Sequence, residues 1–310
     1  MVLPLLQCAF TIVSVQAKTS YKFKGKNHSE RRCPLNYYSK YINMQIKEIA
    51  EKALVIIKQT GDYVREERKK LLVSGVRYKD DKSLVTAIDV GSEERLVKAL
   101  VALLPGSSIL AEENHNSDAN TELMWIIDPI DGTTNFVHDF PMYCISVALR
   151  EKDKIVFGVV YDIPGDECFW SHADTDKVFL NDKAIQVSEA KSLNESLLAT
   201  GFPSSAFGRM DEYIEHFRYF MMHTHGIRRL GSAALDLAYV ACGRCDGFFE
   251  YNLKPWDVAA GAYLVQKAGG TVTDFTGGDD YLFGGEMLAS NGLVQGELLA
   301  RFGNESDSWG

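Results

Sequence analysis

The feature that most constrains this chain is the stretch at residues 125–136, which reads Trp-Ile-Ile-Asp-Pro-Ile-Asp-Gly-Thr-Thr-Asn-Phe. The apolar run over residues 123–127 predicts a buried strand, with Asp128 and Asp131 at its carboxyl end. The intervening proline and the following Gly-Thr-Thr predict a sharp turn and then a helix start with free backbone N–H groups. Carboxylates beside a helix N-terminus suit a divalent cation and a phosphate bound side by side.

Net charge is distributed unevenly along the chain and limits the ligands that it attracts. The 310 residues carry a formal charge of −9, whereas seven Lys and Arg against one Glu give residues 1–43 a charge of +6. The remaining 267 residues therefore carry −15. Phosphate contacts to nucleic acid need a basic face, so we expect no nucleic-acid partner. An anionic substrate has to be drawn to this acidic body by bound cations.

Residues 1–43 have three interpretations. Met44 opens a clean amphipathic pattern, which favours a natural start there and an upstream extension translated in error. Residues 1–15 are fairly apolar, and cleavage after Ala17 would make them a secretory signal, although the usual positive start is missing. A functional basic arm is the third interpretation, because residues 18–40 are charged and aperiodic, a pattern typical of disorder. No segment reaches the roughly 18 apolar residues of a membrane-spanning helix, so we expect a cytoplasmic protein without a membrane partner.

Hydrophobic periodicity changes near residue 190 and predicts two subdomains, residues 44–190 and 191–310. Closely spaced strands with charged turns predict an antiparallel sheet in the first, and alternating helices and strands predict a layered α/β unit in the second. The predicted helices cover residues 44–64, 89–103, 211–223, 232–241 and 256–268. The predicted strands cover residues 107–111, 122–128, 143–149, 155–161, 167–171, 185–187, 197–201, 247–249 and 271–274.

Six cysteines are too few for a disulfide framework in a chain of this length. Cys242 and Cys245 form a C-x-x-C pattern, but they follow a predicted helix rather than the strand that precedes a thioredoxin-like site. No second pair is present for zinc. We therefore interpret both as buried thiols, with a redox or zinc module as the alternative.

Acidic residues lie at the ends of apolar elements rather than on solvated faces. Glu112 and Glu113 end one predicted strand, Asp128 and Asp131 follow the next, and Asp257 opens an apolar helix. Any one of them alone is more typical of a helix cap or a surface carboxylate, and Asp257 in particular fits a cap. Their joint occurrence favours one shared site.

Three segments resemble the signatures of the inositol monophosphatase family in order and approximate spacing. They are Glu112-Glu113, the Asp-Pro-Ile-Asp-Gly-Thr-Thr-Asn-Phe of residues 128–136, and the Trp-Asp-Val-Ala-Ala-Gly of residues 256–261. The resemblance extends from about Met44 to Leu299. It implies an α/β protein with alternating helix and sheet layers, an αβαβα sandwich like that of inositol monophosphatases and fructose bisphosphatases. One departure is Ala111, where the family usually has glycine.

The resemblance implies a phosphatase that uses about two to three Mg²⁺ ions held by oxygen ligands. The implied metal ligands are Glu112, Asp128, the backbone carbonyl of Ile130, Asp131 and Asp257. Glu112 and the Thr133 hydroxyl are expected to orient the attacking water, and Asp89 to support an additional Mg²⁺ and its water. The phosphate is expected to bind at Gly132, Thr133 and Thr134 through backbone N–H groups.

The family's contacts to the alcohol part of the substrate also have matching positions here. They are Gly231, Ser232, Ala233, Glu250 and Asp257. Thr86 and, more loosely, Lys79 lie in another matching segment. Arg228 and Arg229 are expected to add positive charge near the substrate, to serve at a subunit contact, or to be a solvated basic pair.

The expected reaction is hydrolysis of myo-inositol 1-phosphate and related inositol monophosphates. Residues 134–136 and Glu250 favour these over the fructose bisphosphate, histidinol phosphate or 3′-phosphonucleotide that a broader sugar or polyol phosphatase accepts. The alternative from another class is a non-catalytic interaction protein on the same fold. Such proteins commonly lose metal ligands, whereas every ligand position is filled here. The resemblance also implies a homodimer that is inhibited by lithium.

Overall fold

Two β-sheets form the centre of the described part of the chain, which in this computed structural model comprises residues 46–69, 76–79, 83–113, 121–203, 205 and 207–303. A separate two-stranded antiparallel sheet consists of β1 (Val76–Lys79) and β2 (Ser83–Thr86). The larger sheet contains β3 (Ser108–Ala111), β4 (Leu123–Asp131), β5 (Cys144–Glu151), β6 (Lys154–Asp162), β7 (Glu167–His172), β8 (Val178–Leu180) and β9 (Lys183–Ile185). The smaller sheet contains β10 (Leu197–Thr200), β11 (Gly226–Arg228), β12 (Gly247–Tyr251), β13 (Thr271–Thr273) and β14 (Glu286–Ser290).

Strand pairing differs between the two sheets. The larger sheet follows sequence order, with β3 parallel to β4 and every later pair antiparallel. The smaller sheet has the order β11-β10-β12-β14-β13, in which β10 is parallel to both of its neighbours and β14 is antiparallel to both of its own. The predicted antiparallel sheet is thus confirmed except at β3.

Seven α-helices cover the faces of these sheets in the described ranges. They are α1 (Ile46–Arg68), α2 (Ala87–Leu103), α3 (Thr133–Val137), α4 (Met210–His223), α5 (Ala233–Ala241), α6 (Pro255–Lys267) and α7 (Gln295–Gly303). The longest, α1, buries Ile46, Ile49, Ala53 and Ile57, which recur at helical spacing on one face. The five helices predicted from sequence are all present.

Three apolar cores separate the layers. Helices α1 and α2 pack on one face of the larger sheet, in a core that contains Trp125 and Phe157. Helices α5 and α6 lie between the two sheets, in a core that contains Ile126 and Phe248. Helices α4 and α7 cover the outer face of the smaller sheet, where Phe249 lies. Because successive residues of a strand face opposite sides, neighbours such as Phe248 and Phe249 enter different cores. The predicted αβαβα layering is confirmed.

Some predicted strand limits were wrong for physical reasons. Strand β4 continues through Pro129 to Asp131, since its register against β5 shifts between Asp128 and Asp131. A proline at such an irregularity does not have to donate a ladder hydrogen bond. The strand predicted at residues 185–187 instead ends at Ile185. Strands β1, β2, β8, β11 and β14 and helix α7 were not predicted.

Several sequence predictions are not decided by this fold. The larger sheet ends before residue 190 and the smaller sheet begins after it. The division into two subdomains stays a prediction. The interpretations of residues 1–43 lie outside the described residues. Across the helices that the structure describes, none has the length and apolar character needed to cross a membrane.

Candidate active site

The carboxyl end of β4 presents the two central carboxylates. Asp128 is buried, and one of its oxygens accepts a hydrogen bond from the Ile130 N–H at 3.0 Å. Asp131 accepts from the Ser232 hydroxyl and from the Ala234 N–H, each at 2.7 Å. Asp131 therefore ties the end of the larger sheet to the first turn of α5, and this contact brings together motifs about 100 residues apart in sequence.

The turn between β4 and α3 depends on Gly132. Its φ of 97° is in the left-handed region, and a Cβ there would lie 2.8 Å from the Met142 carbonyl oxygen and 3.3 Å from that of Gly231. Glycine is thus required for both conformation and space. The close approach also places the expected phosphate-binding turn against the segment expected to contact the alcohol part of the substrate.

Thr133 begins α3 with its hydroxyl between two oxygens. The hydroxyl lies 3.0 Å from the Ile130 carbonyl oxygen and 3.2 Å from an Asp89 carboxylate oxygen, so it can donate to either. Thr134, one residue later, is exposed. Asp89 lies in α2 and is only 1% exposed, which makes it a buried carboxylate at the predicted site.

Glu112 and Asp257 reach the same place from other elements. Glu112 directly follows β3, and its N–H donates to the Ile127 carbonyl at 3.3 Å, which places it beside the end of β4. Asp257 lies in the first turn of α6 and accepts from the Lys254 N–H at 2.6 Å. The capping role considered for Asp257 is therefore present, and it leaves the other carboxylate oxygen of Asp257 available for a ligand.

Electrostatics shows that these carboxylates form one group. The pKa of Asp128 is raised well above its usual value, first by burial and then by the negative charges of Glu112, Asp131, Asp257 and Asp89. Burial raises the pKa of Asp131 to about 6, although hydrogen bonds from Ser232, Ala234 and Gly132 oppose the shift. The pKa of Asp257 is also raised well above its usual value, by burial and then by Asp131.

This donor set fits Mg²⁺. Within the described ranges, no three His, Cys, Asp or Glu side chains are grouped tightly enough to hold a metal ion by themselves. Mg²⁺ rarely uses such an all-protein cage, because it keeps several waters and shares substrate phosphate with one or two carboxylates. Divalent charge at this position would offset the repulsion that raises the pKa of Asp128.

The expected alcohol-binding segment is held mainly by contacts within the protein. The Asn135 amide donates to the carbonyls of Met142 and Leu230, both at 2.7 Å. Ser232 caps α5 by accepting from the Leu235 N–H at 3.3 Å, while its hydroxyl proton goes to Asp131. The Ser232 side chain thus positions Asp131 in this structure, and Ala233 beside it is buried.

Glu250 lies on β12 with its carboxylate against Gly201. It is 9% exposed, and a Cβ on Gly201 would lie 2.0 Å from a Glu250 carboxylate oxygen. Burial and the charge of Asp131 raise the pKa of Glu250 to about 8, and the charge of Arg229 lowers it. Arg229 is exposed and lies over the Phe202 ring at 5.5 Å.

Sequence reasoning missed three residues at this site. Glu93 is fully buried one helical turn after Asp89 and accepts from the Glu113 N–H at 2.7 Å. Its spacing from Asp89 on a helix was the available signal. Asp236 is also buried, and Gly201 makes room for Glu250. Neither had a signal that distinguished it from an ordinary helix or strand residue.

Other predicted residues lie away from this group or outside the described side chains. The side chains of Lys79 and Thr86 are outside the described part. Cys242 and Cys245 are free thiols, and burial raises the pKa of both, to about 12 for Cys245. Cys245 is buried, as interpreted, whereas Cys242 is only partly buried; the raised pKa of both thiols disfavours a reactive role.

Known proteins resemble the chain over nearly all of its described length. A model of the inositol monophosphatase family matches residues 45–307. An inositol-1-monophosphatase from Mesorhizobium japonicum is 39% identical over 216 residues, which are 69% of this chain and 81% of that protein. A Nus factor SuhB from Pseudomonas aeruginosa is 41% identical over 244 residues, 77% of this chain and 90% of that protein. The structure of inositol monophosphatase from Anabaena has a TM-score of 0.72 and 35% identity, and the match covers 84% of this chain and 96% of that one.

Proposed function

Because this chain belongs to the inositol monophosphatase family, we propose that it is a Mg²⁺-dependent phosphomonoesterase that hydrolyses myo-inositol 1-phosphate and related inositol monophosphates. The observation that carries the proposal is that the buried Asp128 lies at the end of β4, to which Glu112 and Thr133 are hydrogen-bonded, and that the charges of nearby carboxylates raise its pKa. A fold alone tolerates such repulsion poorly, so a cluster of this kind is typical of a site that binds cations.

The residues divide the reaction between them. Mg²⁺, when bound by Glu112, Asp128, Asp131, Asp257 and the Ile130 carbonyl, would supply positive charge for the phosphate and lower the pKa of water. Glu112 would accept the proton of the attacking water and orient it. The Thr133 hydroxyl, which already lies between Ile130 and Asp89, would fix the same water from the other side.

The phosphate would bind at the turn before α3. The N–H groups of Thr133 and Thr134 would be the donors there, while that of Gly132 donates to Asp131, and Gly132 has no side chain to block the approach. Helix α3 has only five residues, so individual N–H donors contribute more than a helix dipole. Asp89 would support an additional Mg²⁺, as the family resemblance implies.

The alcohol part of the substrate would lie towards Gly231, Ala233 and Glu250. A carboxyl group that faces vicinal hydroxyls is an effective way to bind a polyol, since it accepts two hydrogen bonds at once. Ser232 contributes by holding Asp131. Other sugar or polyol phosphates remain the alternative substrates.

Phosphate release under controlled metal conditions tests this proposal. We expect release from myo-inositol 1-phosphate with Mg²⁺ and none with excess chelator, and we expect Li⁺ to inhibit. Rates on fructose bisphosphate, histidinol phosphate and a 3′-phosphonucleotide would rank the alternatives. Turnover in excess chelator would refute the metal-dependent mechanism.

A second candidate function is suggested by the Pseudomonas relative, which is named as a Nus factor. If this chain has the role that the name gives to that protein, it should replace SuhB in a Pseudomonas strain that lacks it. An Asp128→Asn variant should then replace SuhB equally well if the role is non-catalytic. Failure of that variant alone would assign the role to phosphatase activity.

The oligomeric state and the cellular location are further proposals. We propose a cytoplasmic homodimer with no nucleic-acid or membrane partner. Light scattering of the purified chain would measure its mass, and a monomer at micromolar concentration would contradict the dimer.

A further inference from the structure

Asp236 is a buried carboxyl that the proposed mechanism does not use. It lies in α5, one helical turn beyond Ser232, and is 1% exposed. Neither of its carboxyl oxygens has a hydrogen-bond partner among the described residues. A carboxyl buried without a partner costs folding stability, so its presence in the fold needs an explanation.

The surroundings of Asp236 connect it to the alcohol-binding end of the site. Helix α5 packs on strands β10 and β12, and β12 carries Glu250. Burial raises the pKa of Asp236 well above its usual value, and the charges of Glu250 and Asp131 raise it further, while that of Arg229 lowers it. Because side chains alternate along β12, Glu250 lies on the same face as Phe248, which is the face that α5 covers.

These surroundings keep Asp236 in its uncharged form. An ionised carboxylate that is sealed from water without a hydrogen-bond partner is strongly disfavoured, and burial is the first cause of the raised pKa of Asp236. An uncharged carboxyl is a hydrogen-bond donor as well as an acceptor. The carboxylate of Glu250 is a strong acceptor on the strand that α5 packs against.

We propose that Asp236 is a positioning residue for the alcohol part of the substrate: its uncharged carboxyl donates a hydrogen bond to Glu250 when Glu250 binds substrate hydroxyls. Asp236 does not touch the substrate, because both of its oxygens are sealed from solvent. The donor fixes one carboxylate oxygen of Glu250 and leaves the other to accept from the substrate. Gly201 provides the opposite wall, since it packs directly against the Glu250 carboxylate.

This role of Asp236 rests on the proposed function, in which Glu250 binds the alcohol part of the substrate. It predicts a particular pattern among variants of Asp236. Asp236→Asn keeps an uncharged donor of the same size, whereas Asp236→Leu keeps the branched shape and the number of heavy atoms and removes the donor. If Asp236 had only a structural role, both substitutions would remove an unfavourable buried carboxyl and would have similar effects.

The test compares kcat/KM for myo-inositol 1-phosphate and for p-nitrophenyl phosphate, which has no alcohol hydroxyls. For Asp236→Leu we expect kcat/KM for myo-inositol 1-phosphate, divided by kcat/KM for p-nitrophenyl phosphate, to fall about tenfold. This is the usual effect of losing one hydrogen bond to a charged group. For Asp236→Asn we expect a ratio within about twofold of the original. If the leucine variant does not fold, Asp236→Ala removes the donor without adding bulk.

Two further variants make the test specific. In a Glu250→Gln background the effect of Asp236→Leu should disappear, because the residue acts through Glu250. Tyr251→Phe is the matched control: its hydroxyl is also buried without a partner in the described part, but its side chain lies in the core on the other face of β12. We expect that control to leave the ratio unchanged.

Several results would overturn the inference. They are an equal loss on both substrates in Asp236→Leu, a loss in Asp236→Asn as large as in Asp236→Leu, or an effect that persists without Glu250. Binding of myo-inositol, measured by calorimetry, separates this inference from the proposed function. Binding that follows the same order of variants without turnover would refute only the proposed function, and absence of binding by the unmodified protein would refute the inference.

Discussion

Two buried aspartates in this molecule have opposite surroundings. Asp246 accepts hydrogen bonds from the Leu197 N–H at 2.6 Å and from the Ser188 hydroxyl at 2.5 Å, so its charge is satisfied by the fold. Asp128 accepts one hydrogen bond, from the Ile130 N–H, and otherwise lies among other carboxylates. Asp246 therefore stabilises the junction between strands. By contrast, we expect the cluster around Asp128 to destabilise the protein until a ligand of opposite charge is present.

The largest expected effect comes from the same substitution at both aspartates. Asp128→Asn should lower Mg²⁺-dependent phosphate release by at least about a hundredfold and leave stability equal or higher, because it removes a repelling charge. Asp246→Asn should lower the free energy of unfolding by about 1–3 kcal/mol, since it loses a charge-assisted acceptor, while the folded fraction stays active. Urea unfolding and phosphate release on the two variants measure this.

The comparison fails if the two variants exchange these effects. Substantial destabilisation by Asp128→Asn would show that its carboxylate supports the fold. Full activity of that variant would exclude Asp128 from the reaction.

Gly132→Ala tests whether the backbone conformation beside the carboxylate cluster matters for activity as the carboxylate charges do. The left-handed φ and the contact with the Met142 carbonyl should together destabilise the protein by about 1–3 kcal/mol and displace the phosphate-binding turn. Both the Tm of thermal unfolding and kcat would fall. Gly106→Ala is a useful control, because its φ is also positive, at 91°, but no atom lies within 4 Å of the added Cβ. If both variants keep full activity, the turn at Gly132 is not needed for phosphate binding.

Gly201→Ala extends the comparison to the alcohol-binding end. The new methyl group would overlap the Glu250 carboxylate, which can turn away at its flexible end. We expect KM for myo-inositol 1-phosphate to rise about tenfold, with a stability change below about 1 kcal/mol. An unchanged KM would mean that the position of Glu250 does not matter for binding.

The smallest expected effect is a pH dependence of stability that comes from the acidic groups of the site. Asp131 has a folded pKa of about 6 and Glu250 of about 8, both raised, so the folded state holds their protons longer than the unfolded state does. Without divalent cations, stability should therefore fall as pH rises from about 4 to 8. Added Mg²⁺ should raise Tm more at pH 8 than at pH 5. A Tm shift by Mg²⁺ that is equal at both pH values would contradict this sign.

The sequence predicted the centre of the site because its carboxylates end apolar strands, where a charge has no ordinary structural reason to be. The pattern around Asp128 and Asp131 carries that signal in a single stretch. Glu112 and Asp257 carry it at the ends of other apolar elements, and the family resemblance implied their roles as metal ligands. The layering followed from the same resemblance. Helix and strand patterns away from the motif were also sufficient for most of the long elements.

The rest could not be predicted because it depends on packing between distant elements. Asp236 in a Leu-Asp-Leu sequence is indistinguishable from a solvated helix residue until α5 is placed between two sheets. The role of Gly201 appears only when β12 brings Glu250 against it. Strand β11 has only three residues, and β11 and β14 pair with strands that are distant along the chain, so local periodicity did not reveal them.

Direct binding of Mg²⁺ is the measurement closest to the central claim. Calorimetric titration at pH 8 should show binding by the unmodified protein and by Asp246→Asn, and a loss of binding by Asp128→Asn. Equal Mg²⁺ affinity in all three proteins would contradict the claim that the buried carboxylates around Asp128 form the metal and phosphate site.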